Sequence, residues 1–280
     1  MFGNRVYDYS PESGDKKSMK HYINVYRMLL KLSFSYLTAY RSNFINSALS
    51  ALAWGLFSIF SIILLTSRTP SVFGWKREEI LLLTGVYTCL TGLFHTFFAP
   101  NFERLAQLTN FGQLDRVLLL PIDSQFSVSL WEINYTRLIR IIIGIIMITV
   151  LIGSFTIEIS LMQWIVFLVL FFTGLLLQYT IWFLVSTLTI WFTRLSNLTE
   201  FMYSVTGMAR YPREMYRQLS DYIFVFLLPI TLIIITPVKA LFNKATVLDV
   251  IALFAVTLGL LYVSRKFWKF ALRYYTSASS

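Results

Sequence analysis

Cysteine is nearly absent from this 280-residue chain: Cys89 is the single one, so no intrachain disulfide can form. It lies within an apolar run, where a cysteine acts as a small buried hydrophobe rather than a reactive thiol. Histidine is almost as scarce, with only His21 and His95. Neither a His-Glu-x-x-His helix nor a Cys-x-x-Cys pair occurs, which excludes a metal site of ordinary spacing. The chain also has no Gly-x-x-x-x-Gly-Lys-[Ser/Thr] phosphate loop and no Gly-x-Ser-x-Gly elbow. Nucleotide is therefore not held here in the usual way, and catalysis within this polypeptide is not expected. Charge is thin as well: 14% of the residues are charged, where a soluble domain has roughly 25%.

What fills the space is apolar. Hydrophobic residues make up 56% of the chain, and they come in blocks rather than in a helical or strand period. Phe44 to Ser67 is the first block, 24 residues without a charge. About 20 such residues cross the hydrocarbon core of a bilayer, so the solvent for most of this chain is lipid. The net charge of +10 then marks which loops face the cytoplasm; it does not point to nucleic acid. The first block starts too late for a cleaved signal peptide, so the first span itself is expected to direct insertion. Residues 1–19, with Gly3, Pro11, Gly14 and mixed charges, read as a disordered cytoplasmic leader.

The blocks predict an all-α polytopic membrane protein. Spans are expected at about 44–66, 80–99, 133–157 and 163–188, with Trp164 and Trp182 as interfacial anchors of the fourth. Ile159 to Thr193 is uncharged throughout. One straight helix of that length would measure ~52 Å against a core of ~30 Å, so part of it must turn or lie in an interface. The fifth span has two placements. Either 195–211 crosses and 213–240 forms a re-entrant pair of short helices, or 222–238 crosses despite Pro229 and Pro237. The last span is expected at about 246–264, followed by a tail, 265–280. With the amino end inside and 195–211 as fifth span, the cytoplasmic parts hold Arg5, Lys16, Lys17, Lys20, Arg27, Lys31 and Arg41. Arg104, Arg116, Arg137, Arg140, Arg194, Arg265, Lys266, Lys269 and Arg273 join them, sixteen of the 24 basic residues. That excess puts both termini in the cytoplasm.

Two segments outside the spans show helical periodicity. In 20–42, Tyr22, Val25, Tyr26, Leu29, Leu30, Ser33, Tyr36, Leu37 and Tyr40 recur at helix spacing between basic residues. This fits an amphipathic helix in the inner headgroup layer, either an active element or a plain anchor. In the loop after the second span, Phe102, Leu105 and Leu108 share one helical face, Gly112 can end the helix and Pro121 closes the segment. Such a helix is either a connector on the headgroups or a docking knob for a partner.

The stretch Phe111-Gly112-Gln113-Leu114-Asp115-Arg116-Val117-Leu118-Leu119-Leu120-Pro121 resembles the Gly-x-Leu-Asp…Leu…Pro signature of type-2 ATP-binding-cassette (ABC) exporter permeases. Tyr211-Pro212, the run from Pro229 to Pro237, and the aromatic-basic end from Trp268 into a Ser-rich terminus extend the resemblance over most of the chain. It implies six spans, an amino-terminal interfacial elbow helix at 20–42, a cytoplasmic coupling helix, and outer re-entrant helices before the last span. It favours 195–211 as the fifth span and 213–240 as re-entrant, with breaks at Pro212, Pro229 and Pro237. It assigns coupling to Phe102, Leu105, Leu108, Gly112, Leu114, Asp115, Arg116 and Pro121. The partners implied are two ABC ATPase subunits, which would bind ATP and Mg, a second permease, identical or homologous, and membrane lipids. The implied location is the inner (plasma) membrane.

Within the spans, His95, Gln178 and Glu200 are candidates for a substrate path; His95 and Gln178 have the plainer reading of helix–helix glue, and Glu200, with Arg194 as its expected partner, faces either a cavity or the other protomer. Glu132, Arg137 and Arg140 read as headgroup anchors. Aromatics at 17% of the chain suit an amphipathic or cationic cargo. The rival from another class, an ATP-independent secondary transporter or channel, would show ionisable groups at span centres and an internal repeat; neither is evident. A non-transport membrane scaffold is a second rival, and a response of the protein's state to nucleotide would argue against both.

Overall fold

The computed structural model describes residues 19–39, 41–67, 71–72, 74–155, 158–192, 198–212, 214, 216 and 221–275. The leader up to residue 18, Tyr40, Arg194 and the last five residues lie outside them. Helix α1 (Met19–Ala39) is followed by α2 (Arg41–Ser67) and a two-residue hairpin, Ser71–Val72 paired antiparallel with Trp75–Lys76. Helix α3 (Arg77–Phe97) leads after one turn into α4 (Ala99–Asn110), then the short α5 (Leu114–Leu118) and α6 (Ser124–Ser129). Next come α7 (Leu138–Ser154), α8 (Leu161–Thr187), α9 (Leu198–Gly207), α10 (Asp221–Leu241) and α11 (Val247–Tyr274).

Five helices among the described residues are long and apolar enough to cross a membrane: Phe44–Leu64, Arg77–Phe97, Tyr135–Ser154, Leu161–Ile190 and Val247–Tyr274. They answer to the first, second, third, fourth and last expected spans. The long uncharged run is divided as its length requires: Ser160 caps α8 with a box to Gln163, and the helix tightens into a 3₁₀ turn at Leu188–Ile190.

The region of the fifth span differs from expectation. Of 195–211, helix α9 and the 3₁₀ turn Met208–Arg210 cover the described residues from Leu198 to Arg210; residues 195–197 lie outside them. Helix α10 runs unbroken for 21 residues with Pro229 and Pro237 inside it, so neither proline ends a helix. A proline removes one donor, at position i−4 for its acceptor, and leaves the turns on either side intact. For Pro237 the orphaned acceptor is the Ile233 carbonyl. Gly174 of α8 sits against that carbonyl: a Cβ there would come within 2.3 Å of the oxygen. The two backbones thus approach closely where the helix bond is missing. Pro212 is a break, because Tyr211 before it is extended after the 3₁₀ turn Met208–Arg210.

Helix α3 is the axis of the bundle. Gly85 and Gly92 on α3 and Gly144 on α7 let these two helices meet backbone to backbone; a Cβ on Gly144 would stand 2.6 Å from the Cys89 nitrogen. Two apolar cores result. One surrounds Leu82, Leu83, Leu90, Leu177 and Ile233 to Ile235 at mid-bundle. The other is aromatic, with Phe94, Phe102, Trp182, Phe183 and Trp268, at the α4 end. Trp182 is 1% exposed and donates its indole N–H to Thr206 Oγ at 3.0 Å. It is a core residue and not the interfacial anchor its sequence position suggests.

Candidate functional site

The α4 end of the bundle carries most of the polar side chains singled out above. Helix α4 opens with Pro100 in its first turn and ends at Gly112, whose φ of +64° suits a glycine after a helix. Its apolar stripe faces inward. Phe102, Leu105 and Leu108, with Leu114 of α5, are all buried in the aromatic core. Four of the eight residues assigned to coupling are thus packed within the protomer, and direct contact with a partner is left to the others. The exposed residues are at the tip. Phe111 is 73% and Leu119 77% exposed, with Gln113, Arg116 and Pro121 exposed around them. Gly112 and Asp115 are partly buried. A signal for Phe111 was present, since nine residues after Phe102 is half a turn out of phase, so Phe111 points away from the buried stripe.

The tip is tied to the bundle by polar contacts. Asp123 caps α6, accepting from the Phe126 N–H at 3.1 Å. Its carboxylate also takes both guanidinium nitrogens of Arg265 on α11, which reaches Gln125 Oε1 at 2.9 Å. Burial alone would raise the Asp123 pKa, but the Arg265 hydrogen bonds and charge, with the backbone N–H groups, outweigh it and hold the carboxyl below its ordinary value. Trp268 donates to Ser124 Oγ at 3.0 Å. Tyr179 of α8 meets Ser129 Oγ at 3.0 Å. The loop after α3 is therefore bonded directly to α8 and α11. A cavity of about 430 Å³ lies beside this clamp, between Phe98, Phe126, Tyr179 and Arg265.

A second, larger cavity of about 550 Å³ opens on the other side of α4. Arg104, Arg116, Arg137, Glu103, Glu132, His95 and Tyr203 line it. Asn101 fixes its wall, bonding the Glu132 carbonyl at 2.8 Å and the Glu132 N–H at 2.7 Å. Tyr203 donates its hydroxyl to Glu103. The Arg104 guanidinium stands 5.0 Å over the Trp131 ring. Burial lowers the Arg104 pKa from its ordinary value, Glu132 works against that shift, and the charge of Arg116 adds to it.

At the opposite, hairpin end the bundle is closed by a polar latch. Glu79 of α3 is buried, accepts from the Lys76 N–H at 3.0 Å and pairs with Lys244 in the α10–α11 turn. Trp75 donates to Glu214 at 3.1 Å, and Lys239 lies 3.9 Å from Asp249.

A family model for ABC-2 family transporter proteins matches residues 52–279. The chain belongs to the ABC-2 transporter family. No curated protein and no solved structure matches it. As a member of that family it is a membrane subunit of an ABC transporter, not itself the ATPase, and it works with an ABC ATPase.

The three candidates for this permease's substrate path fall in different places. His95 lines the larger cavity, and its Nδ1 lies 3.5 Å from the Arg140 guanidinium, across the α3–α7 contact. Gln178 is 1% exposed, with both ends of its amide lacking a hydrogen-bond partner among the described residues. Glu200 is exposed near the start of α9. Of these, only His95 joins the cavity; Tyr203, which does line it, stood out in the sequence only as one aromatic among many. No group of three or more His, Cys, Asp or Glu that could hold a metal occurs among the described residues.

Proposed function

We propose that this permease is the membrane half of an ATP-driven exporter, moving a lipid-like, amphipathic or drug-like cargo out of the cytoplasm or inner leaflet, as in multidrug efflux. Two permeases, identical or homologous, face each other in the inner (plasma) membrane over two ATPase subunits that bind ATP and Mg. Both termini are cytoplasmic, so the α4 end is the inner end and the hairpin end the outer one. Residues 20–264 then form a single permease domain, with α1 as the elbow helix.

The observation that carries this reading is the tip of the α4–α6 segment. It exposes Phe111 and Leu119 and is anchored through Asp123–Arg265 and Ser124–Trp268 to the last span. Closure of the ATPase pair pushes on the exposed tip. The buried stripe of Phe102, Leu105, Leu108 and Leu114 makes the segment rigid, and the clamp carries the push to α11 and α8. These buried residues therefore serve coupling from within, and Gly112, Arg116 and Pro121 shape the tip.

Mild-detergent purification of the tagged permease from its native membrane, with mass spectrometry and an ATPase assay, tests this. An ABC ATPase is expected to co-purify, and Phe111→Ala with Leu119→Ala to abolish stimulation while the permease still inserts and stays monodisperse. Unchanged stimulation removes the docking role from the tip. An ATP-independent oligomer instead favours a channel or secondary transporter.

A further inference from the structure

We propose that the larger cavity at the α4 end is a binding site for an anionic, phosphate-bearing headgroup. Three guanidinium groups converge on it from three separate elements, Arg104 from α4, Arg116 from α5 and Arg137 from the 3₁₀ turn before α7. Two carboxylates share the lining, Glu103 and Glu132. Glu103 is occupied in accepting the Tyr203 hydroxyl. Among the described residues no carboxylate lies within ion-pair distance of the three arginines. Arg104 stacks on Trp131 and Arg116 bonds Gln113 at 3.3 Å; Glu132 offsets part of the Arg104 charge, and three guanidinium groups against two carboxylates leave an excess of positive charge. Like charges gathered in a partly buried cavity are costly until an anion joins them, and planar guanidinium forks match phosphate oxygens in pairs.

Size and position narrow the class. At about 550 Å³ the cavity is far larger than a lone phosphate and falls within the usual range for small-molecule sites. It adjoins the end of α3, the level at which headgroups meet a span, where basic pockets between helices hold anionic lipids. Pro100 and the exposed ring of Phe111 add apolar surface for the first carbons beyond the headgroup. Phe111 and Arg116 of the tip also line the cavity, so the test of the site rests on Arg104 and Arg137, which the coupling reading does not use.

Binding to the full-length permease in neutral detergent tests the site, by titration with dioctanoyl phosphatidylglycerol, dioctanoyl phosphatidylcholine and inorganic phosphate. The phosphatidylglycerol is expected to bind. Arg104→Gln with Arg137→Gln should weaken it by about tenfold or more, the loss of charge-assisted hydrogen bonds, and Arg104→Lys with Arg137→Lys should retain it. Should the paired Gln variant fail to fold, Arg137→Gln alone carries the test, because Arg137 is exposed. Inorganic phosphate binding with the same dependence on the arginines would sustain the anion site and assign it to the free ion. No binding, equal binding of the zwitterionic lipid, or binding indifferent to the Gln substitutions would overturn the proposal.

Discussion

Helices α2 and α3 are both long and apolar enough to span a membrane, yet they live in different solvents. In α3, 78% of the most apolar stretch is buried within the protomer, against 6% in α2. The more apolar helix is the one left outside. Lipid tails are as apolar as leucine, so hydrophobicity drives a helix into the bilayer but gives it no reason to enter a bundle. What takes α3 inside is shape. Gly85 and Gly92 let α7 approach its backbone. Thr84, Thr88, Thr91 and Thr96 each return their hydroxyl to the carbonyl four residues back, at 2.7–2.9 Å, so no polar atom of theirs needs a partner elsewhere. Helix α2 instead exposes Leu49, Leu56, Phe57, Phe60 and Leu64.

The sharpest way to break this contrast is to fill the glycine contact. Gly144→Leu would place a side chain on the Cys89 backbone, and α3 and α7 would have to separate. Overpacking of that kind costs about 3 kcal/mol or more, and folded permease should be lost from size-exclusion profiles. Gly153→Leu, near the other end of the same helix with nothing within 4 Å of its Cβ, should leave the profile unchanged. Loss in both would mean that leucine in α7 is harmful wherever it is placed.

A smaller test compares equal truncations. Leu83→Ala empties a fully buried site in α3, whereas Leu56→Ala trims an exposed side chain of α2. The buried change is expected to cost about 2 kcal/mol, the low end for core leucines because lipid replaces water as the reference. The exposed one should stay within about 0.5 kcal/mol. Equilibrium unfolding in mixed micelles reads both, and equal losses would remove the distinction between the two helices.

The smallest effect concerns the helix ends. Helices α8 and α11 are fastened to the α4–α6 segment through Asp123 and its neighbours. Asp123 titrates below its ordinary value in the folded protein, so the unfolded chain binds its proton first. Its contribution is thus complete above about pH 4 and fades as pH falls through the folded value. Thermal unfolding followed downward from about pH 5 should show a loss in the wild type that Asp123→Asn and Arg265→Gln do not show. Parallel curves for all three would make the clamp energetically silent.

Much of this was legible in the residues. Uncharged runs of crossing length declare five helices because each span is a local property of length and composition. The Gly-x-Leu-Asp signature and the helix before it were legible too, and the family match covers them. The α9–α10 region was not, since a proline's effect on a helix depends on what meets the orphaned carbonyl, here Gly174. The coupling residues were half legible: the stripe Phe102, Leu105, Leu108 was visible, but periodicity reports a face without saying whether the protomer or a partner covers it.

The sequence by itself determined that the chain lives in a membrane and roughly where five long apolar helices lie, because an apolar run of crossing length is a local property. Only the tertiary structure decided which helix is central, that Trp182 lies in the core, and that three arginines distant in the chain share one cavity. Those outcomes depend on backbone approach and side-chain shape between helices, and no single helix contains that information.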